Sequence, residues 1–203
     1  MVNILSIDFD YFIAASAMER DKYFPSGEDE VNLNKLRAIW KERYLQYPEL
    51  MQIGVVDEFH SLKDFLLLIR IKREKFFSSN THKSIKGVID RIPANQNLRI
   101  VNIDFHHDYY HYYSGDNYLN CGNWLRRVIE ERPMTQVKWI RREDSQLFSL
   151  EGEIPFEHTT NITSVFNESF DIVFICRSPE WSPPHLSYRY EELVRSVFYS
   201  ETA

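Results

Sequence analysis

Two short stretches carry side chains whose types and spacing could do chemistry. In Asn102-Ile103-Asp104-Phe105-His106-His107-Asp108-Tyr109, the apolar run Leu98-Arg99-Ile100-Val101 leads directly into two carboxylates and an imidazole at alternate positions. Near the N-terminus, Val2-Asn3-Ile4-Leu5-Ser6-Ile7 leads in the same way into Asp8-Phe9-Asp10. Such runs read as buried strands, and side chains along a strand alternate faces. Asp104, His106 and Asp108 are therefore expected to point one way, and Phe105 and His107 the other. Asp8 and Asp10 should likewise share a face. Carboxylates and imidazole together form a hard O/N donor set suited to a divalent ion such as Mn²⁺, Fe²⁺ or Zn²⁺. His60, in Asp57-Glu58-Phe59-His60-Ser61, stands where a third apolar run is expected to hand over to a helix.

The elements that must position these groups can be read along the chain. A helical period covers residues 33–45 up to Pro48, and residues 51–56 form a short apolar run expected as a strand. An amphipathic helix is expected from there to about Phe77, its acidic start and basic end suiting the helix dipole. Residues 78–83 are a polar break, followed by a short helix up to Pro93. After the central strand comes a polar, aromatic loop holding Tyr109, Tyr110, His111, Tyr112 and Tyr113. Cys121-Gly122-Asn123-Trp124 opens a helix to about Glu131. Residues 136–140 and 170–176 read as strands, with an irregular stretch over 141–163, and residues 186–199 as a last helix. Strands alternating with helices, themselves apolar without polar alternation, predict an α/β fold: a three-layer sandwich around a mostly parallel sheet. In such a sheet the carboxyl ends of the strands lie along one edge, where ligands bind. Groups distant in sequence can therefore meet there.

The chain has 203 residues, with 43% hydrophobic and 27% charged residues and a net charge of −6. This fits one globular domain over residues 1–203 and argues against general nucleic-acid binding. Two cysteines, Cys121 and Cys176, are too few for a disulfide framework and suit a reducing cytoplasm. No stretch reaches the roughly 20 apolar residues of a membrane span. The N-terminus lacks the basic region of a signal peptide and soon meets Asp8 and Asp10.

Four aspartates and two histidines carry too much negative charge for one zinc ion and suit two divalent ions bridged by carboxylates. Such a pair makes water nucleophilic at neutral pH, and its usual chemistry is hydrolysis at an electrophilic carbon or phosphorus. Asp104-Phe105-His106-His107-Asp108 resembles the Asp-x-His-x-Asp signature of the arginase/agmatinase ureohydrolases, whose sites hold two Mn²⁺ ions. Asp8-Phe9-Asp10 is similar to their Asp-x-Asp motif, and Asp57-Glu58-Phe59-His60-Ser61 to their Gly-Gly-Asp-His-Ser stretch. A closer resemblance is to a smaller arginase-like family that includes the peptide arginases of ribosomal-peptide natural-product biosynthesis. It extends over Ile7-Asp8-Phe9-Asp10-Tyr11-Phe12, Val56-Asp57-Glu58-Phe59-His60, residues 102–108, Gly122-Asn123-Trp124 and Arg177-Ser178-Pro179-Glu180-Trp181-Ser182-Pro183.

The resemblance implies an arginase/deacetylase-like fold, two Mn²⁺ ions, and conversion of peptidyl arginine to ornithine with release of urea. It implies that Asp104 and Asp8 bridge the ions, with His60 and Asp108 completing one and His106 and Asp10 the other. In arginases the Asp-x-Asp follows the Asp-x-His-x-Asp; here it precedes it, an order that corresponds to circular permutation. Cys121-Gly122-Asn123-Trp124 stands where arginases hold the α-groups of a free amino acid, a departure that favours an arginine-containing precursor peptide, and Cys121, Asn123, Trp124 and Ser178 are the candidate substrate contacts. Glu180 is the candidate partner of the guanidinium. His111 is preferred over His107 and His185 for carrying a proton to the departing amine. A second reading takes Asp8 as nucleophile and Asp10 as acid/base of a Mg²⁺-dependent haloacid-dehalogenase-type phosphatase, which leaves residues 104–108 without a role. A third is a non-catalytic, metal-stabilised peptide-binding protein.

Overall fold

In the computed structural model, residues 1–25, 32–110, 118–149 and 152–199 are described. In chain order they form β1 (Val2–Asp8), α1 (Ala17–Tyr23), α2 (Leu33–Gln46), α3 (Glu58–Leu68), β2 (Phe76–Ser79), α4 (Ser84–Ile89), β3 (Leu98–Ile103), α5 (Trp124–Glu131), β4 (Gln136–Ile140), the two-residue strands β5 (Phe148–Ser149) and β6 (Gly152–Glu153), β7 (Glu157–Thr159), β8 (Ile172–Cys176) and α6 (Ser187–Tyr199). Six strands make one sheet in the order β2-β8-β1-β3-β4-β7, and every pairing in it is parallel.

The apolar strands expected from the sequence are apolar because both faces of the sheet are covered. Leu5, Ile7, Val101, Ile103, Val173 and Ile175 face one core with Leu36 and Trp40 of α2, Phe59, Leu62 and Leu66 of α3, and Leu193 and Val197 of α6. The alternate residues Ile4, Leu98, Ile100, Ile172 and Phe174 face the other core with Ile85, Val88 and Ile89 of α4 and Trp124, Leu125 and Val128 of α5. The fold is thus α/β, with an all-parallel sheet between helices. Because Ser6 and Asn102 share the parity of Ile4 and Ile100, β1 and β3 carry two fully buried polar side chains on the α4/α5 face.

Three local expectations are corrected. Residues 51–56 do not form a strand. The segment holds a 3-10 turn at Pro48–Gln52, and Val55 makes only an isolated bridge to Ile13. The helix expected to reach Phe77 stops at Leu68, where Ile69 turns extended. Ile69 and Ile71 turn into the core, and Phe76–Ser79 is captured as a strand beside β8. Aromatic residues fit a pleated, half-buried surface well, so tertiary pairing overrides the helical period here. Finally, α5 begins at Trp124 rather than Cys121, because the side chain of Asn123 is bound into the preceding turn: it accepts from Asn120 N (2.9 Å) and donates to Tyr118 O (2.9 Å).

Phe59 joins α3 to the turn that follows β1, meeting the rings of Phe9 and Phe12 edge-on at 6.3 and 5.8 Å. Phe59→Ala should destabilise the protein by about 3–5 kcal/mol, measured by urea unfolding; a loss below about 1 kcal/mol would contradict this packing.

Candidate metal centre

The carboxyl ends of β1, β2, β3 and β8 lie side by side, and each delivers polar groups to one place. Register puts Ile7 beside Ile103 and Asp8 beside Cys176. Asp8 closes β1 and caps the 3-10 turn Phe9–Phe12, its side chain accepting from Asp10 N at 3.1 Å. β3 stops at Ile103, and Asp104 folds the next residues into a turn by accepting from His106 N at 2.8 Å. The strand alternation expected for Asp8/Asp10 and for Asp104/His106/Asp108 therefore does not hold, since β1 ends at Asp8 with Asp10 in the turn beyond it, and residues 104–108 lie past the end of β3. They converge all the same, through Asx-type turns.

Ligating atoms gather in two groups that share one residue: Asp8, His82 and Asp104, and Asp10, Asp104 and His106, each within 4.8 Å. His82 Nδ1 lies 3.3 Å from Asp8 Oδ2, 3.0 Å from Asp104 Oδ2 and 2.9 Å from Asp108 Oδ2. His106 Nδ1 lies 3.0 Å from Asp10 Oδ2 and 4.0 Å from Asp104 Oδ1. One N–H cannot serve three carboxylates at once. Ligands at right angles around an ion with bonds of about 2.1 Å stand about 3.0 Å apart, so the spacing suits donors arranged around a cation. The donor set fits a divalent ion; these buried Asp and His groups could hold one.

His60 is not among these donors. It is exposed on α3, edge-on to Phe59, and His82 supplies the imidazole. His82 is fully buried, with Nε2 fixed by Ser6 Oγ at 2.7 Å and its ring stacked against Phe174. The signal for it was available: with Phe76-Phe77 read as a strand, His82 would have stood just past a carboxyl end, as Asp8 and Asp104 do. Arg20 was also missed. It is 1% exposed, lies 3.8 Å from Asp10 Oδ2 and over the Phe105 ring, and donates to the carbonyls of Asp10, Ile13 and Ala15. Nothing in the sequence separates it from an exposed helical arginine.

Charge sets the protonation of the cluster. Burial raises Asp8 to about 6, with Asp10 adding to the effect and His82 opposing it. Burial, then the charges of Asp108 and Asp10, pushes Asp104 well above the usual carboxylate range. Burial also raises Asp108 against the pull of His82. Burial disfavours the cationic forms of His82 and His106, but the surrounding carboxylates outweigh it and both are raised. Asp10 alone is lowered: burial works against its charge, and His106 and Arg20 overcome that.

The sites proposed for substrate divide. Ser178 and Cys121 line a cavity of about 290 Å³ together with Asp8, His82, His106 and Asp108. Ser178 Oγ, however, donates to Asp8 Oδ2 from a left-handed backbone (φ 44°). Trp124 is fully buried and its Nε1 donates to Asp108 Oδ2, and Asn123 is held in its turn; neither lines the cavity. Trp124 and Ser178 thus hold Asp108 and Asp8, and Asn123 holds only its own turn. Glu180 is fully buried and does not line the cavity, whose other acids are Asp21 and Asp144. His107 does not line the cavity; its ring lies tilted against Tyr110 at 4.0 Å, with Nδ1 accepting from Tyr109 N. His185 is fixed between Tyr44 OH and Ile53 O. His111, Tyr112 and Tyr113 lie outside the described residues. Tyr110 lines the cavity, while Tyr109 packs against Phe156. No helix among the described residues is long and apolar enough to cross a membrane.

Compared with family models, with curated proteins and with solved structures, the chain finds no match.

Two outcomes follow from this geometry. His82→Ala should weaken divalent-metal binding, measured by calorimetric titration, by more than the roughly 10–100-fold lost with an outer partner, and His60→Ala should leave it unchanged. The reverse pattern would contradict the ligand set. In the metal-free protein, the raised Asp8, Asp104, Asp108 and histidines stabilise the fold while protonated. That contribution is complete below their unfolded values and is lost as pH rises through about 6 and beyond, with Asp10 acting in the opposite sense. A bound cation replaces these protons, so the gain in Tm on adding Mn²⁺ should grow between about pH 5 and about pH 8. A gain that shrinks with pH would contradict the assignment.

Proposed function

We propose that the chain is a dimanganese hydrolase that converts peptidyl arginine in a precursor peptide to ornithine, releasing urea, on a permuted arginase-like fold. The observation that carries the reading is Asp104, which belongs to both Asp/His groups at once. A shared carboxylate is what a bridged pair of ions needs. Asp8, His82, Asp104 and Asp108 would hold one ion, and Asp10, Asp104 and His106 the other. Bound there, the ions would activate water and stabilise developing charge.

The order of the motifs does not stand against the reading. β1 and β3 are neighbours in register, so Asp-x-Asp and Asp-x-His-x-Asp meet at one edge whichever comes first in the chain. The cavity, of about 290 Å³, is at the small end for ligand sites and suits one long side chain. Phe105, Tyr110 and Trp181 would flank its aliphatic stem, and Asp21 and Asp144 offer carboxylates to a cation. Asp144 is held in place, Oδ2 accepting from Ala17 N at 2.8 Å. Ser178, Trp124 and Arg20 keep Asp8, Asp108 and Asp10 oriented. In the reaction, water oxygen bonds to the guanidinium carbon, the bond from that carbon to the side-chain nitrogen breaks, and that nitrogen takes a proton, for which His111 remains the candidate donor.

The phosphatase reading fits less well. Asp10, its acid/base, is not on the cavity wall, and no lysine is among the described residues that line it.

The test is to incubate Mn²⁺-loaded protein with an arginine-containing peptide and assay urea and peptide-bound ornithine. The proposal expects both in equal amounts, and their loss in Asp104→Ala. Phosphate release from an aryl phosphate, with the peptide intact, would favour the phosphatase. Tight metal binding without turnover would favour a peptide-binding protein.

A further inference from the structure

The opposite, amino edge of the sheet, where β1, β2 and β8 begin, holds a concavity of about 730 Å³. Arg70, Lys72, Lys75 and Arg91 line it, over a floor that includes Ile92 and Phe170; both of these are less than a tenth exposed. All four cations are exposed, and among the described residues none of them has a carboxylate within ion-pair distance. By contrast, Lys63, Lys86, Arg99, Lys138, Arg189 and Arg195 each meet a glutamate or aspartate. The one acid lining the groove, Asp171, already accepts from Asn3 N at 2.8 Å.

A chain with net charge −6 has carboxylates enough to neutralise this patch and leaves it bare. The sequence offered a use for it. Arg70-Ile71-Lys72-Arg73-Glu74-Lys75 was expected at the end of a long helix, where cations complement the dipole. The helix stops at Leu68, and the run instead rims the groove without an internal partner.

We propose that this groove binds an acidic peptide segment in which carboxylates flank an apolar side chain. The cations would meet the carboxylates, and the exposed Pro93 and half-buried Val2 beside the Ile92/Phe170 floor the apolar group. A free phosphate has no use for that floor. A polynucleotide would find no exposed ring to stack on, since the aromatic ring lining the groove, Phe170, is 7% exposed. The site lies at the far end of the sheet from the metal cluster and does not depend on what that cluster does.

The experiment passes a library of short random peptides over the immobilised full chain and sequences the retained pool. Enrichment of about tenfold in Asp and Glu adjoining Leu, Ile or Phe is expected, the scale of three exposed ion pairs. It should vanish at about 1 M salt and in the charge-reversed variant Arg70→Glu/Lys72→Glu/Lys75→Glu. Arg91→Glu, on a separate segment, should weaken it independently, and the metal content of every variant should match the parent. A retained pool with the composition of the input overturns the proposal. So does one unchanged in both variants, or retention of random single-stranded DNA in place of peptides.

Discussion

Four carboxylates buried side by side at one edge of a sheet require positive charge, and the surroundings of the site are organised by that requirement. Asp8, Asp10, Asp104 and Asp108 are each less than 5% exposed; carrying ionised groups out of water is expensive unless they are paired. His82, His106 and Arg20 supply three cations at most, one short of balance, and burial already drives protons onto Asp8 and Asp104. A divalent ion resolves the deficit more fully than protons do. It can approach several oxygens together, and it leaves the imidazoles neutral and free to ligate.

Seen this way, the unusual features nearby share one cause. Ser6 and Asn102 interrupt apolar strands because their side chains reach the cluster: Ser6 holds His82, and Asn102 donates to Asp104 at 3.3 Å. Among the described residues, Asp108 and Ser178 are the non-glycine positions with positive φ, at 50° and 44°. Such backbone is strained, and it persists where the surroundings over-determine it. Asp108 accepts from Leu125 N through its carbonyl and from Trp124 through its carboxylate, while Ser178 is tied to Asp8. The parallel sheet supplies the rest, since it brings four strand ends together from distant parts of the chain.

Much of this was legible in the sequence, and the limits of that reading have physical reasons. Unbroken apolar strands announced a covered parallel sheet. Strands ending in Asp8 and Asp104 announced the site, because acids following directly on a buried strand are seldom accidental. The resemblance puts the imidazole at His60, just after Met51–Val56, which reads as a strand, whereas Phe76-Phe77 reads as a helix end and residues 78–83 as a polar break. Pairing with β8 decided the second segment, and no local pattern reports it. The orienting roles of Trp124 and Ser178 and the buried position of Arg20 depend on contacts across long sequence separations. A linear reading placed Trp124 and Ser178 against the substrate for the same reason.

The central claim is that Asp104 joins two metal positions into one centre. Electron paramagnetic resonance during titration of the metal-free protein with Mn²⁺ tests it directly, because ions that share a bridging carboxylate are exchange-coupled. The account predicts a coupled-pair spectrum that grows with the second equivalent and is absent in Asp104→Asn. A spectrum of isolated, uncoupled Mn²⁺ at every stage of the titration would contradict it.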